Sequence, residues 1–421
     1  MKLRLDDLHI YTGTGWSDGC IAIDDGVVVS VGNAPDDPSY DIVSCGGMTA
    51  FPGFADVHVH LREPGFSYKE TIADGTAAAA RGGYTAVCAM PNLNPVPDCP
   101  EHLAAERDII AATAKIPVFP YGAITVGEKG QELGDIEGLA PFVTAFSDDG
   151  KGVQDGAVME RAMLRVKTAG KLIAAHCEDE SLLHGGCVHD GVYAASHGLS
   201  GICSESEWRP ISRDAVLAEK TGCPYHVCHV SSKESVEIIR KARARGVDIT
   251  CETAPHYLVF CDEQLLDSGR FRMNPPIRGR EDREALRQGL IDGTIGIIAT
   301  DHAPHAAEEK SGGLARSANG IVGLETAFPV LYTELVKTGL LPLETLLSAL
   351  IANPRNRFGL GGGFIREGAR ADLTVFDLNE AYTIDPTEFL SKGKSSPFEG
   401  MAVYGRCKMT VLGSDVVWRE L

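Results

Sequence analysis

The middle of the chain alternates between short apolar runs and segments with helical spacing. Helical segments are predicted at 68–81, 101–114, 158–169, 213–221 and 232–245. The apolar, strand-like runs end near His60, Asn92, Thr125, Asp149, His176, His229, His256 and Asp301. Eight strand–helix units within about 300 residues fit a (β/α)8 TIM barrel, which typically needs ~250 residues. We therefore predict an α/β fold with such a barrel, and an open, doubly wound sheet is the alternative.

Both ends of the chain have a different pattern, with short strands separated by turn residues. These strands are predicted at 3–8, 20–24, 27–31 and 40–44, and again at 371–377 and within 401–418. A β-rich start and a β-rich end favour one small domain built from both. We predict a β-sandwich domain formed by residues 1–50 plus 365–421, and a barrel domain over residues 51–364.

Charge and composition exclude several classes of partner. The 421 residues carry a formal charge of −19, which argues against binding to nucleic acid or to an anionic membrane surface. The N-terminal sequence MKLRLDDLHIYTG has no apolar signal core, so we expect a cytoplasmic protein. The twelve cysteines include no Cys-x-x-Cys pair and are expected to be reduced, mostly buried thiols.

Two histidines one residue apart, His58 and His60, end the first predicted barrel strand. Because strand side chains alternate between faces, both imidazoles should lie on the same face. Arg62 follows them and offers a fork of donors that suits a carboxylate. The segment therefore indicates a pair of metal ligands beside an anion-binding arginine.

Further ligand-type residues end four other predicted strands. With the first pair, the candidate metal ligands are His58, His60, Asp149, His176, His229 and Asp301. Active sites of barrels lie at the carboxyl ends of the strands, so these side chains should meet. Four imidazoles and two carboxylates suit two divalent ions, with zinc the expected metal. Two such ions, roughly 3.5–4 Å apart, would share a hydroxide and polarise a carbonyl.

Two of the aspartates have specific expected roles. Asp149 should bridge the two ions because a carboxylate offers two oxygens, whereas Asp148 should point the other way and cap the following turn. Asp301 is the expected catalytic residue. It would take a proton from the bridging hydroxide during attack and then give that proton to the leaving nitrogen.

Arg62, Asn92, Asn274 and His305 are the candidate substrate-binding residues. Asn92 follows an apolar run, Asn274 precedes two prolines, and His305 lies just past the last predicted strand. The two asparagines are also typical turn residues. Because both asparagines are placed at the same rim of the predicted barrel, a role in a turn and a role in substrate binding are equal alternatives for them.

Nine motifs together resemble those of the type I dihydroorotases of the amidohydrolase superfamily. They are HVHLREPG, MPNLNPVPD, FSDDGKGV, AAHCED, CHVSS, ETAPHYL, NPPIR, ATDHAPH and GIVGLETAFP. The resemblance covers nearly the whole chain, including the terminal segments GARADLTVFD and SKGKSSPFEGMAVYGR. It implies the reversible cyclisation of N-carbamoyl-L-aspartate to L-dihydroorotate, the third step of pyrimidine synthesis.

The resemblance also implies roles for individual residues. The metal ligands would be the six residues named above, and Asp301 would be the general acid/base. Arg62, Asn92 and His305 would hold the substrate carboxylate, and Asn274 would contact the ring. The segment 305–323 would form a mobile loop over the site. The partner is then a small-molecule substrate, while a homodimer and a complex with aspartate carbamoyltransferase stay open.

Two other functions stay open at this point. Hydantoinases and allantoinases are related cyclic amidohydrolases that bridge their metals with a carboxylated lysine, but this chain has Asp-Asp-Gly at the matching strand end. Arg62 and Asn92 favour a substrate with a ring carboxylate, which hydantoins lack. An inactive scaffold for aspartate carbamoyltransferase should have lost metal ligands, yet all six positions are filled.

Asn319 stands where the family more often has an aromatic residue, which bears on substrate packing.

Overall fold

Residues 2–421 are described by a computed structural model, in which eighteen strands and thirteen α-helices follow one another. The strands are β1 Lys2–Tyr11, β2 Trp16–Asp24, β3 Val27–Gly32, β4 Asp41–Pro52, β5 Phe54–Val59, β6 Tyr84–Ala89, β7 Val118–Pro120, β8 Gly122–Ala123, β9 Phe146–Ser147, β10 Ile173–Ala175, β11 Val188–His189, β12 Gly201–Ile202, β13 Tyr225–Val227, β14 Ile249–Thr253, β15 Ile297–Ile298, β16 Asp372–Thr383, β17 Ala402–Leu412 and β18 Asp415–Arg419. The helices are α1 Ile72–Arg81, α2 Pro100–Thr113, α3 Ile136–Leu139, α4 Gly156–Thr168, α5 Val192–His197, α6 Glu205–Thr221, α7 Lys233–Ala244, α8 Pro255–Val259, α9 Arg280–Ile291, α10 Gly313–Arg316, α11 Ala327–Leu331, α12 Leu343–Leu350 and α13 Ala352–Phe358. The result is a mixed α/β fold.

A seven-stranded sheet joins the two ends of the chain. Its strand order is β18-β17-β16-β4-β1-β2-β3, in which β1 and β4 are parallel and the other neighbours are antiparallel. Val375 pairs with Ala50, which places the C-terminal strand β16 directly beside the N-terminal strand β4. Strands from both ends of the chain thus belong to one sheet. The fourth strand extends eight residues beyond the predicted Ser44, to Pro52.

Nine further parallel strands lie in chain order in two sheets, β5-β6-β7 and β8-β9-β10-β13-β14-β15, and β11 and β12 form a separate parallel pair. On one side, Pro120 at the end of β7 is separated by a single residue from Gly122 at the start of β8. On the other, a parallel bridge joins Val59 in β5 to His302 just after β15. All carboxyl ends of these strands therefore face the same side of the molecule.

Helix α6 is longer than the helical spacing of the sequence predicted. The pattern predicted a helix from residue 213, but α6 begins at Glu205 and continues through Pro210. A proline lacks the N–H that would bond to the carbonyl four residues before it. That carbonyl, on Ser206, accepts a hydrogen bond of 2.7 Å from the Asp179 backbone N–H instead. A tertiary contact therefore stabilises a helical turn that local rules disfavour.

Four fully buried phenylalanines connect the terminal sheet to the parallel strands. Phe51 and Phe376 come from the sheet, Phe54 from β5 and Phe328 from α11. The ring centroids of Phe54 and Phe328 are 5.2 Å apart, and those of Phe328 and Phe376 are 4.5 Å apart. Burial of these large apolar rings holds the two parts in a fixed relation.

The cysteines follow the expectation from the sequence. All twelve cysteines are free thiols, and ten of them are buried. Within residues 2–421, no helix combines the length and the apolar character that crossing a membrane requires.

Candidate active site

The structure brings the six predicted metal ligands to one place at the carboxyl ends of the parallel strands. They come from β5 and from the first three residues after β5, β9, β10, β13 and β15, namely His58, His60, Asp149, His176, His229 and Asp301. All six are buried, and the most exposed, Asp301, keeps only 7% of its surface. Strand order and direction thus gather residues that lie up to 243 positions apart in the chain.

Asp149 lies at the centre of this group. Its Oδ1 is 3.3 Å from Nε2 of His58 and 3.8 Å from both Nδ1 of His176 and Nε2 of His229. Its Oδ2 is 3.5 Å from Nε2 of His60. Asp149 therefore lies between the imidazoles beside β5 and those that follow β10 and β13, and its two oxygens suit it to bridge two ions.

Asp301 closes the group on the side of β5. Its Oδ1 lies 3.2 Å from Nε2 of His60 and 3.5 Å from Nε2 of His58. The backbone of Asp301 is left-handed, with φ of 49°, and so are those of Arg62 at 64° and His229 at 34°. Residues other than glycine rarely adopt this conformation, and such residues cluster at functional sites.

The donor set fits divalent metal ions. Two groups of potential ligand atoms, His58–His60–Asp149 and Asp149–His176–His229, each converge within 4.8 Å. Nε2 of His58 and Oδ1 of Asp149 are buried, and neither has a hydrogen-bond partner among residues 2–421. Buried polar atoms are usually satisfied, so atoms left without a protein partner in one cluster point to a cation-binding site. Imidazole and carboxylate donors suit borderline divalent metals.

The carboxylate of Glu252 lies behind His58 and was not predicted. Nδ1 of His58 donates to Oε1 of Glu252 at 2.7 Å, and Nε2 of His226 donates to Oε2 at 3.1 Å. Burial by itself would raise the pKa of Glu252, but the hydrogen bonds from His226 and His58 lower it to about 2. Such a carboxylate keeps the proton of His58 on Nδ1 and leaves Nε2 free for a metal.

Asp56 is a second buried carboxyl that the sequence analysis missed. Its two oxygens accept from the backbone N–H groups of His58 and Thr300, both at 3.0 Å. Burial raises the pKa of Asp56 to about 7. The residue ties the end of β5 to the segment that carries Asp301. Its place in the strand, two residues before His58, was the signal that could have identified it.

Asp148 points away from its neighbour Asp149, as predicted, but its partners differ from the expected ones. Its Oδ1 accepts from the backbone N–H groups of Ile124 and Thr125 at 2.8 and 3.0 Å, and its Oδ2 accepts from the Thr125 hydroxyl. The expectation that Asp148 caps the following turn is wrong. Its carboxylate instead anchors the preceding strand end, because strand alternation turns it toward β8.

The predicted substrate-binding residues line one cavity of about 170 Å³ with five of the six predicted metal ligands. Arg62 is buried, its Nε donates to the Pro304 carbonyl at 3.2 Å, and its Nη2 lies 3.5 Å from Nε2 of His305. Gly320 and Asn319 complete the wall beside His305. The cavity therefore joins a cationic group to the metal-ligand cluster.

The two asparagines of the cavity already have protein partners. Nδ1 of His60 donates to Oδ1 of Asn92 at 2.8 Å, and Nδ2 of Asn274 donates to Oε1 of Glu178 at 2.9 Å. Asn92 therefore also orients a metal-ligand histidine, a function that its sequence position did not reveal. The amide N–H₂ of Asn92 is not used in the bond to His60 and is the group that could contact a substrate.

The segment 305–323 contributes His305, Asn319 and Gly320 to the cavity wall and is held mainly by hydrogen bonds within itself. Nζ of Lys310 donates to the carbonyls of Arg272, Ala318 and Gly320 at 2.9, 2.7 and 2.6 Å. Nε2 of His305 contacts the Asn319 carbonyl at 2.7 Å. Asn319 therefore lines the cavity and also contacts His305 through its backbone carbonyl.

Comparison with known proteins gives a consistent picture. A family described as dihydro-orotase-like matches residues 47–235. Curated dihydroorotases from Bacillus cereus and Bacillus anthracis are each 48% identical to this chain over 402 residues, which cover 95% of this chain and 94% of theirs.

Solved structures support the fold. An L-hydantoinase (dihydropyrimidinase) from Arthrobacter aurescens is 25% identical, with a TM-score of 0.87 over 99% of this chain and 96% of that one. A dihydropyrimidinase from Brevibacillus agri is 22% identical, with a TM-score of 0.88 over 100% of this chain and 95% of that one. These are cyclic amidohydrolases with the same arrangement of elements. With the sequence relatives at almost twice that identity over nearly the full length, the chain belongs to the dihydroorotase family.

Proposed function

We propose that this chain catalyses the reversible cyclisation of N-carbamoyl-L-aspartate to L-dihydroorotate, as a dihydroorotase of pyrimidine synthesis. The observation that carries the proposal is the buried set of four histidines and two aspartates beside Arg62. Opening a cyclic amide needs an activated water and a proton carrier, and a ring carboxylate needs a cation. The 48% identity to curated dihydroorotases favours this substrate over a hydantoin.

We further propose that the two parallel sheets close into a (β/α)8 barrel over residues 51–364, beside a β-sandwich domain of residues 1–50 plus 365–421. The bridge between Val59 and His302 supports closure on one side, and the direct succession of β7 and β8 supports it on the other. Val57, Cys88 and Ile297 share one apolar cluster, as side chains inside a small barrel do.

We assign the six ligands to two divalent ions, with zinc the expected metal. One ion would be held by His58, His60, Asp149 and Asp301, and the other by Asp149, His176 and His229. Both ions, when bound, supply Lewis acidity toward the reacting carbonyl and acidify a water molecule. The contribution of Asp149 is positional, because its carboxylate lies within 3.8 Å of imidazoles of both sets, His58 in one and His176 and His229 in the other.

Asp301 is proposed to carry the proton between the water and the leaving nitrogen. Its carboxylate lines the cavity and lies 3.2 Å from the imidazole of His60. In ring opening, the carboxylate accepts a proton from the attacking water and donates it to the ring nitrogen. In ring closure, the same group moves the proton in the opposite direction.

Arg62 and His305 are proposed to hold the ring carboxylate, with Asn92 and Asn274 as further contacts. The guanidinium of Arg62 is buried, so an anion bound to it would be poorly screened by water. This contact separates a dihydroorotate from a hydantoin, which has no carboxylate on its ring.

A substrate panel tests the proposed function. We would follow hydrolysis of L-dihydroorotate, hydantoin and allantoin by the metal-loaded protein. Preferential turnover of L-dihydroorotate is expected. Preferential turnover of hydantoin or allantoin would replace the proposed substrate with that of the related amidohydrolases, and inactivity toward all three would favour a scaffold for aspartate carbamoyltransferase.

A further inference from the structure

Lys69 reaches the cavity wall from the loop that precedes α1. Its Nζ lies 2.9 Å from Oε1 of Glu309 and 3.2 Å from Nδ1 of His305. The same ammonium lies 5.8 Å and 5.5 Å from the ring centroids of Phe66 and Tyr68. The side chain is only 14% exposed. Two aromatic faces, a carboxylate and an imidazole therefore hold it in one position.

The hydrogen bonds of His305 determine which of its ring nitrogens carries a proton. Nε2 lies 2.7 Å from the backbone carbonyl of Asn319, which can only accept, so Nε2 is the donor. Burial and the positive charges of Arg62 and Lys69 lower the pKa of His305 to about 4. The imidazole is therefore neutral at neutral pH, and its proton is on Nε2.

Nδ1 of the neutral ring must then accept a hydrogen bond, and Lys69 is the donor beside it. Glu309 also approaches Nδ1, at 3.3 Å, but a carboxylate cannot donate to it. Oε2 of Glu309 instead accepts from the Ala306 backbone N–H at 3.0 Å, while its Oε1 pairs with Lys69. Each donor in this cluster thus has an acceptor, and each acceptor has a donor.

The protonated nitrogen of His305 faces the same side as Arg62, whose Nη2 is 3.5 Å from it. A carboxylate bound to this guanidinium therefore lies within reach of the His305 N–H, which the carboxylate and the Asn319 carbonyl would accept together in a three-centre hydrogen bond. If the proton were on Nδ1 instead, Nε2 would present a lone pair to that carboxylate and repel it.

We propose that Lys69 is a positioning residue that, together with the Asn319 carbonyl, holds His305 in the Nε2–H tautomer, so that this N–H can also donate to the substrate carboxylate. The proposal rests on the proposed function, since it assigns the carboxylate to the Arg62–His305 side of the cavity. Lys69 acts through His305 and has no assigned part in proton transfer or metal binding.

The test is a double-mutant cycle on the metal-loaded protein with Lys69→Met, His305→Ala and the double variant, using L-dihydroorotate as substrate. Lys69→Met should raise KM about 10- to 100-fold, the range for the loss of one hydrogen bond to a charged group, with a smaller change in kcat. In the His305→Ala background, the same substitution should change KM less than about threefold, because the residue through which it acts is gone. Lys69→Arg keeps a cationic donor and should restore most of the affinity.

Control measurements separate this mechanism from other causes. Lys233, the first residue of α7, forms an exposed ion pair with Glu281 of α9, so Lys233→Met removes a paired lysine away from the cavity and should leave KM unchanged. Metal content should equal that of the wild type in every variant. A wild-type KM in Lys69→Met, or additive effects of the two substitutions, would overturn the proposal. If Lys69→Met does not fold, Lys69→Leu provides the same comparison, because it also lacks a donor. Failure of the wild-type protein to convert L-dihydroorotate would instead refute the proposed function.

Discussion

The two sides of the cavity are built in different ways. On the metal-ligand side, imidazoles and carboxylates come from strand ends and are backed by buried groups such as Glu252 and Asp56. On the substrate side, Arg62, His305 and Asn274 come from loops and rely on bonds to backbone carbonyls or to other loop side chains. The first side is a rigid frame for chemistry, whereas the second can adapt to its ligand.

The difference predicts that substitutions on the two sides change different kinetic quantities. A change in the rigid frame should affect turnover or metal affinity, while a change in the loop-borne side should mainly affect KM. The predictions below test that separation, beginning with the largest effect.

Replacing Asp301 by Asn should have the largest effect on turnover. The variant keeps an oxygen ligand of similar size but loses the proton carrier, so kcat should fall by about 10³-fold, within the range for general acid–base catalysis. Metal analysis is the control, and most of the metal should remain bound. Unchanged activity would remove Asp301 from the mechanism.

Replacing Arg62 by Met should weaken substrate binding. The loss of a buried cation that pairs with a carboxylate is expected to raise KM about 100-fold, with metal content at the wild-type level. The measurement is KM for L-dihydroorotate, compared with that of the Lys233→Met control. An unaltered KM would refute the assignment of the carboxylate to Arg62.

Replacing Glu252 by Gln should lower metal affinity. The variant keeps the size of the side chain but loses the charge that orients His58, and loss of such a partner typically costs about 10- to 100-fold in metal affinity. Affinity would be measured by chelator competition. Glu106→Gln is the matched control, because Glu106 is equally buried, at 1% exposure, but lies on α2 outside the cluster. Equal metal affinities of the two variants would show that Glu252 does not position His58.

The position of equilibrium should depend on pH. Ring opening creates a second carboxylate, which is ionised at neutral pH because its pKa lies near ~4, so a proton is released. Lower pH therefore favours ring closure. The ratio of cyclic to open form should rise about tenfold for each unit by which the pH is lowered, between roughly pH 8 and 6. The ratio at equilibrium can be measured by chromatography. A ratio independent of pH would contradict the assigned reaction.

The sequence predicted the ligand side of the site better than the contacts that support it. The residues at the strand ends, such as His176 and His229, follow from strand alternation and from the rule that carboxyl ends meet at one edge. Glu252 was missed because it lies 194 residues from His58 and becomes its partner only through the order of the strands. No local pattern contains that information.

The same limit applies to elements and to the loop-borne side. Helix α1 was predicted from residue 68, but it begins at Ile72 because Thr71 caps it and accepts from the Asp74 backbone N–H at 3.0 Å. The cap residue is visible in the sequence, whereas the bond from Lys69 to His305 is not. Loop contacts depend on tertiary placement, so sequence motifs identify the residues but not their partners.

Conversion of L-dihydroorotate to N-carbamoyl-L-aspartate by the metal-loaded protein, with chelator-treated protein beside it, tests the central claim most directly. We predict conversion by the metal-loaded protein, loss of conversion after chelation, and recovery when a divalent metal is added back. Absence of conversion by protein with metal bound would contradict the assignment of the cavity to this reaction, and equal conversion after complete removal of metal would contradict the role of the six ligands.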